Sequence, residues 1–144
     1  FLTSDPDAAP GALMHNLKHN TVIHERNVIF TVKTLDQPYV NQGDQFEITP
    51  LNNCFTRVIV RTGYMEPPRV PRLLNQLRRR GLEFELMKTS FFLGRRSLKA
   101  SPRGGMPLWQ DHLFIAMARS ATSASDYFHI PNGRVVELGS QISV

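Results

Sequence analysis

Three histidines near the start of the chain have the spacing of metal ligands. His15 and His19 lie four residues apart in a segment with helical periodicity, and His24 follows. Imidazoles at positions i and i+4 share one side of a helix, as they do in zinc sites. The segment lacks the glutamate of the zinc-protease pattern, however, and it carries Lys18, whose charge repels a metal ion. Structural or surface histidines are the preferred interpretation, and no metal is expected.

Motifs for nucleophilic catalysis and phosphate binding are incomplete. Cys54 is the only cysteine, and nothing in the sequence places a base beside it. Gly104-Gly105 fits neither glycine-rich phosphate-loop pattern, and the serines after the last predicted helix lack a nucleophile elbow. We therefore expect no catalysis and no cofactor, which leaves a small enzyme as the weakest functional alternative.

Length and composition indicate one ordinary globular domain. The chain has 144 residues, of which 41% are hydrophobic and 20% charged, and no apolar run approaches the ~18 residues of a membrane helix. It opens on apolar residues without an initiator methionine, so we expect a piece of something longer. The 17 basic and 12 acidic residues give a net charge of +5, suited to an anionic partner. No aromatic stripe interleaved with cations suggests nucleic acid.

Alternating strand-like and helix-periodic segments predict a single α/β domain, with a mixed β-sheet covered by about three helices. A strand at residues 27–34 is apolar on both faces and is predicted to be central. The second helix carries Leu73, Leu74 and Leu77 inward and stops at Gly81. The last has Trp109, Leu113 and Met117 at helical spacing, a pattern that predicts a core-facing side. Helices are predicted at 9–19, 70–80 and 107–120, and strands at 1–4, 27–34, 46–49, 55–63, 89–98 and 134–138, with a hairpin turn at residues 52–53.

A ligand crevice is predicted where the first two parallel strands end. Thr3, Ser4 and Asp5 follow the first strand, and Lys33 and Thr34 end the second. Ligands of open α/β sheets bind beyond the carboxyl ends of parallel strands. Hydroxyls and one lysine suit an anion, whereas Asp5 repels phosphate but can hold a ribose hydroxyl. The plainer interpretation is that Ser4 or Asp5 only caps the turn and the helix.

The closing residues, MPLWQDHLFIAMARSATSASDYFHIPNGRVVELGSQISV, form the most distinctive block of the chain. The order of MPLWQ, YF, IP and RVVELG resembles the end of Kup-type potassium uptake transporters of the KUP/HAK/KT family. Further blocks that resemble this family are FLTS, ALMHNLKHN, HERNV and MKTSFFLGR, together with the GYME run at residues 63–66. The likeness runs from end to end and is weakest at residues 37–45 and 96–105.

The resemblance implies a function that the composition does not. It implies a potassium uptake protein, in full length a potassium:proton symporter, whose membrane helices precede residue 1 and are absent here. Residues 1–144 are then a cytosolic C-terminal domain for assembly or regulation, at the cytoplasmic face of the inner membrane and soluble when isolated. The basic charge suits the anionic inner leaflet.

The expected partners are the protein's own membrane domain, a second copy of the chain and a regulatory nucleotide. Some family members are thought to respond to a cyclic dinucleotide. The alternative function is a free nucleotide-binding sensor module of the universal-stress type. The ion pathway, the coupling ratio and the regulatory ligand are outside what this sequence determines.

Overall fold

The computed structural model describes residues 1–83, 85–99, 108–120 and 124–143, which form helices and strands in alternation. The helices are Gly11–Asn20 (α1), Val70–Arg79 (α2), Leu108–Ser120 (α3) and Ala124–Tyr127 (α4). The strands are Asn27–Leu35 (β1), Phe46–Pro50 (β2), Phe55–Gly63 (β3), Phe91–Lys99 (β4) and Val135–Ser143 (β5). Short 3₁₀ helices span Leu86–Lys88 and Asn132–Arg134. The predicted α/β class is confirmed.

The strands form two groups, of which the first is mixed. β1 and β3 are parallel, β2 is antiparallel to β3, and the order is β1-β3-β2. The second group is the parallel pair β4-β5. The predicted hairpin is confirmed between β2 and β3, where Asn52 Oδ1 accepts hydrogen bonds from the backbone N–H groups of Cys54 and Phe55, both at 2.8 Å. This side-chain cap fixes the antiparallel register.

Leu2 joins the two groups of strands. It forms parallel bridges to Phe30 of β1 on one side and to Leu93 of β4 on the other. The Leu2 N–H donates to the Phe92 carbonyl and the Thr3 N–H to the Phe30 carbonyl, both at 3.0 Å. The opening residues, predicted as a strand, form only an isolated bridge at Leu2, which lies between β1 and β4. Strand order therefore reverses at this position, as it does in doubly wound sheets.

One face of the sheet is covered by α2. Its buried leucines, led by the fully buried Leu77, pack on Phe30, Val58 and Val60. Each such aliphatic side chain contributes about 1.5–3 kcal/mol. The helix ends at Arg79, and Gly81 acts as the predicted stop after it. The φ of Gly81 is +96°, a conformation that glycine adopts without strain. The Leu82 N–H donates to the Leu77 carbonyl and the Gly81 N–H to the Arg78 carbonyl, which completes a Schellman cap.

The other face of the sheet is covered by α1. Leu13 and Ala12 pack against Phe1 and Phe92, whose rings stack at 4.8 Å. The helix begins at Gly11, two residues later than predicted, because Pro10 has an extended ψ of 129°. Helical spacing places Leu13, Met14 and Leu17 on one side of this helix, but Met14 is exposed. It follows Leu13 directly and is turned away from the sheet.

The third helix departs most from its prediction. Trp109, Leu113 and Met117, expected to face the core, are exposed, and Ile115 is the buried residue instead. Residue 107, the predicted start of this helix, and the Gly104-Gly105 pair lie outside the described residues. Among the helices of the described ranges, none is both long enough and apolar enough to cross a membrane.

Candidate functional site

The predicted crevice residues lie at the carboxyl edge of the sheet. Thr3 is half-buried, and Ser4, Asp5, Lys33 and Thr34 are exposed. The opening residues and β1 are parallel neighbours through Leu2. The residues that follow Leu2 and those that end β1 therefore lie at the same edge of the sheet. The sequence therefore placed these five residues on one side of the fold.

Thr3 and Asp5 form a turn with each other. The Thr3 hydroxyl donates to the Asp5 carbonyl at 3.2 Å and accepts from the Asp5 N–H at 3.3 Å. Asp5 Oδ1 accepts from the Asp7 N–H at 3.0 Å, while the Asp7 carboxylate pairs with Arg57 of β3 at 3.1 Å. The capping interpretation thus holds for the turn. It does not extend to the helix, because α1 starts at Gly11.

Lys33 has a second cation as its cross-strand neighbour. It pairs in register with Arg61 of β3, whose guanidinium forms a salt bridge with Glu47 and donates to the Asp44 carbonyl at 3.3 Å. Glu47 offsets the charge of Arg61, so Lys33 is the cation that remains beside the Asp5 carboxylate at this edge. An anion that reaches the crevice would meet this lysine.

A buried threonine lies just below the crevice, and the sequence reasoning missed it. Thr31 is fully buried on β1, two residues before Lys33, and its Oγ1 has no hydrogen-bond partner within the described part of the chain. A buried hydroxyl without a partner costs about 1–3 kcal/mol. The available signal was a polar residue inside the apolar run NVIFTVKT.

The GYME run at residues 63–66 forms a clamp that its sequence alone did not explain. Glu66 Oε2 accepts from the Gly63 N–H at 2.8 Å and from the Val40 N–H at 3.1 Å. The Tyr64 and Met65 N–H groups donate to the carbonyls of Gln37 and Pro38. These bonds tie the loop after β1 to the end of β3. The clamp therefore holds the residues that follow Lys33 and Thr34.

The apolar face of α3, formed by Trp109, Leu113, Phe114 and Met117, is the main exposed apolar feature described. Three of these residues recur every four positions, so they lie along one side of the helix. All four are about half exposed or more, and Trp109 is 66% exposed. Val136 of β5 is also exposed. Within the described residues, β5 pairs only with β4. This part of the domain has the chemistry of a contact surface.

Comparison with known families decides what kind of domain this is. The family described as K+ potassium transporter C-terminal domain matches residues 1–144. The chain belongs to that family. A probable potassium transport system protein, Kup 2, from Mesorhizobium japonicum is 56% identical over all 144 residues. The corresponding Kup 1 of Bradyrhizobium diazoefficiens is 54% identical, and the Kup of Caulobacter vibrioides is 56% identical, also over the whole chain.

The chain spans only about a fifth of the length of these relatives. It covers 22% of the Bradyrhizobium and Caulobacter proteins and 23% of the Mesorhizobium protein. No solved structure matches the fold at a significant level. The potassium transporter C-terminal domain family thus confirms the resemblance drawn from the sequence, and the relatives are named as transport proteins rather than enzymes.

Proposed function

We propose that this chain is the regulatory and assembly domain of a potassium uptake protein. The full-length protein acts as a potassium:proton symporter, with this domain at the cytoplasmic face of the inner membrane. Two facts support the proposal: the family match covers the whole chain, and most of each relative lies outside it. The net charge of +5 suits a position near anionic lipid headgroups.

The single observation that carries the assembly role is the apolar face of α3. A buried Trp side chain removes about 150–250 Å² from water, so exposing Trp109 beside Leu113 and Phe114 is unfavourable for a domain that remains alone. The face follows one straight helical stripe, and such a stripe is complementary to itself when two copies pack antiparallel about a two-fold axis. Its occupant in this proposal is a second copy of the chain.

Replacing Trp109 by serine is expected to weaken self-association at least tenfold, because the substitution removes the largest apolar group of the stripe. Sedimentation equilibrium of the 144-residue chain measures the dimer dissociation constant. The matched control is Tyr39→Ser, which removes an aromatic side chain of almost equal exposure, 65% against 66%, outside α3. A monomeric parent chain, or equal effects of the two variants, would overturn the proposal.

A second candidate function is nucleotide sensing, favoured by the reversal of strand order at Leu2. Ligands of open α/β sheets bind at that switch point, which here lies at Thr3 to Asp5. The hydroxyls of Ser4 and Thr34 and the ammonium of Lys33 are suited to phosphate and ribose groups. This candidate also fits a regulatory role within the transporter.

For this candidate, Lys33→Glu is expected to weaken nucleotide binding more than tenfold, which corresponds to ~1.4 kcal/mol. Calorimetry with a panel of mono-, di- and cyclic dinucleotides measures the affinity. Lys18→Glu on α1 makes the same charge change at another exposed lysine and should leave the affinity unchanged. If Lys33→Glu binds like the parent chain, the nucleotide does not use this crevice.

A further inference from the structure

A small groove lies between the carboxyl end of α2, the start of β2 and the loop before it. Its volume is about 210 Å³, equal to roughly seven water molecules at ~30 Å³ each. Phe46 at the floor pairs with Val60 of β3, whereas Lys33 pairs in register with Arg61. Adjacent strand residues point to opposite faces, so the groove and the crevice use different faces of the sheet. The lining residues are Gln42, Gln45, Phe46, Gln76, Arg79 and Arg80.

Gln76 lines this groove and carries an unused acceptor. Its Oε1 is shielded from solvent by the protein and has no hydrogen-bond partner among the described residues. Buried side-chain oxygens in folded proteins nearly always have a donor, and leaving one without costs about 1–3 kcal/mol. Gln76 therefore indicates a missing partner that carries an N–H or O–H group.

The groove is positively charged and partly rigid. Arg80 is held in place because it donates to the Gln42 carbonyl and its guanidinium lies 4.9 Å from the centre of the Phe46 ring. Arg79 is exposed and forms no salt bridge within the part of the chain that the structure describes. None of the described residues that line the groove is acidic. Arg79 and Arg80 thus bring two guanidinium groups to this groove, and no described carboxylate in its lining offsets them.

The helix end does not oppose an anion as strongly as a bare carboxyl terminus would. The carbonyls of Leu77 and Arg78 accept hydrogen bonds from Leu82 and Gly81 in the Schellman cap. These bonds occupy oxygens that otherwise carry the negative end of the helix dipole. Arg79 and Arg80, in the last turn, offset the remainder.

We propose that this groove binds the phosphate group of a small phosphomonoester or of inorganic phosphate. A phosphate carries a charge of about −1.5 to −2 at pH 7, which matches the two guanidinium groups. The dianion of inorganic phosphate keeps one proton, so it has acceptor oxygens for Arg79 and Arg80 and an O–H donor for Gln76 Oε1, which the half-buried amide brings to the groove by turning. A phosphomonoester has this donor only in its monoanionic form. The volume suits a phosphate with a small organic group and is below the ~300 Å³ at which larger ligand pockets begin. The site is independent of the proposed dimer and of the nucleotide crevice.

The arginine run supplies a sharp test. Arg78, Arg79 and Arg80 are consecutive and all exposed, but Arg78 does not line the groove. Titration with inorganic phosphate and with glycerol phosphate, followed by amide chemical shifts, should show millimolar or tighter binding. Arg79→Gln should weaken it at least tenfold, while Arg78→Gln, with the same loss of charge, should change it less than twofold. Equal effects of the two variants would mean that phosphate responds only to the overall positive charge of this surface, and the proposal would fail.

Sulfate tests the role of Gln76. It has the shape and charge of phosphate but no proton near neutral pH, so it lacks the donor that Oε1 needs. The parent chain should bind phosphate at least fivefold more tightly than sulfate, and Gln76→Leu should abolish this preference. A preference that survives in Gln76→Leu, or the absence of phosphate binding at 10 mM, would overturn the assignment.

Discussion

Gly63→Ala is expected to destabilise the domain by about 3 kcal/mol or more, the largest effect of any substitution proposed for this chain. A Cβ at this position would lie 2.1 Å from the Pro38 carbonyl oxygen and 2.6 Å from the Tyr39 nitrogen. Both contacts are with backbone, which cannot rotate away as a side chain can. The loop after β1 would have to leave the clamp, so the bond from the Val40 N–H to Glu66 and the bonds from the Tyr64 and Met65 N–H groups to the loop carbonyls would be lost.

The urea midpoint of unfolding measures the effect of Gly63→Ala. Gly43→Ala is the matched control, because a Cβ there meets nothing within 4 Å, and it should change stability by less than about 0.5 kcal/mol. If both variants unfold at the same midpoint, the close approach of residue 63 to the Pro38 backbone does not exist in solution.

The stability of the 144-residue chain is expected to rise by about 2 kcal/mol between pH 6 and pH 8, through its first residue. Burial lowers the pKa of the Phe1 amino group from 8.0 to about 6. In this interval the unfolded chain is protonated at the amine and the folded chain is not, so unfolding takes up a proton and higher pH favours the folded state. The gain is complete above pH 8 and is lost as the pH falls to 6.

Acetylation of the amine isolates this contribution from every other titrating group. The acetylated chain has an amide that cannot titrate, so its unfolding free energy should lack the Phe1 part of the pH dependence. The measured quantity is the difference between the two chains in urea unfolding at pH 6 and pH 8. A difference that does not change with pH would contradict the burial of this amine.

Some elements were predictable because several local signals agreed. Residues 27–34 combine β-branched and aromatic residues without alternation, and the structure buries β1 on both faces through Thr31. The hairpin at Asn52 and the helix stop at Gly81 depend on short-range chemistry, an amide cap and a positive φ, which the sequence carries locally. Local rules therefore gave the correct α/β class.

Other features were not predictable because they depend on what lies opposite in space. Periodicity shows that Trp109, Leu113 and Met117 share one side of α3, but it cannot say whether that side meets the same chain or another molecule. The clamp at Glu66 and the groove at Gln76 require loops and helices far apart in sequence to meet. The order of the predicted strands was enough to bring Thr3 and Lys33 to one edge of the sheet, but Thr31, which has no partner among the described residues, and the turn between Thr3 and Asp5 required the fold.

The bridge at Leu2 has a consequence for how the chain folds. Leu2 must find both Phe30 and Leu93, which is 91 residues away from Leu2 along the chain, before the sheet is continuous. Parallel pairing over such sequence separations closes large loops and slows folding. During synthesis, the opening residues emerge first yet wait for β4 to be made, while the exposed edge of β1 stays open to pairing with other chains. Expression of the domain should therefore depend on chaperones and on temperature more than its modest size suggests.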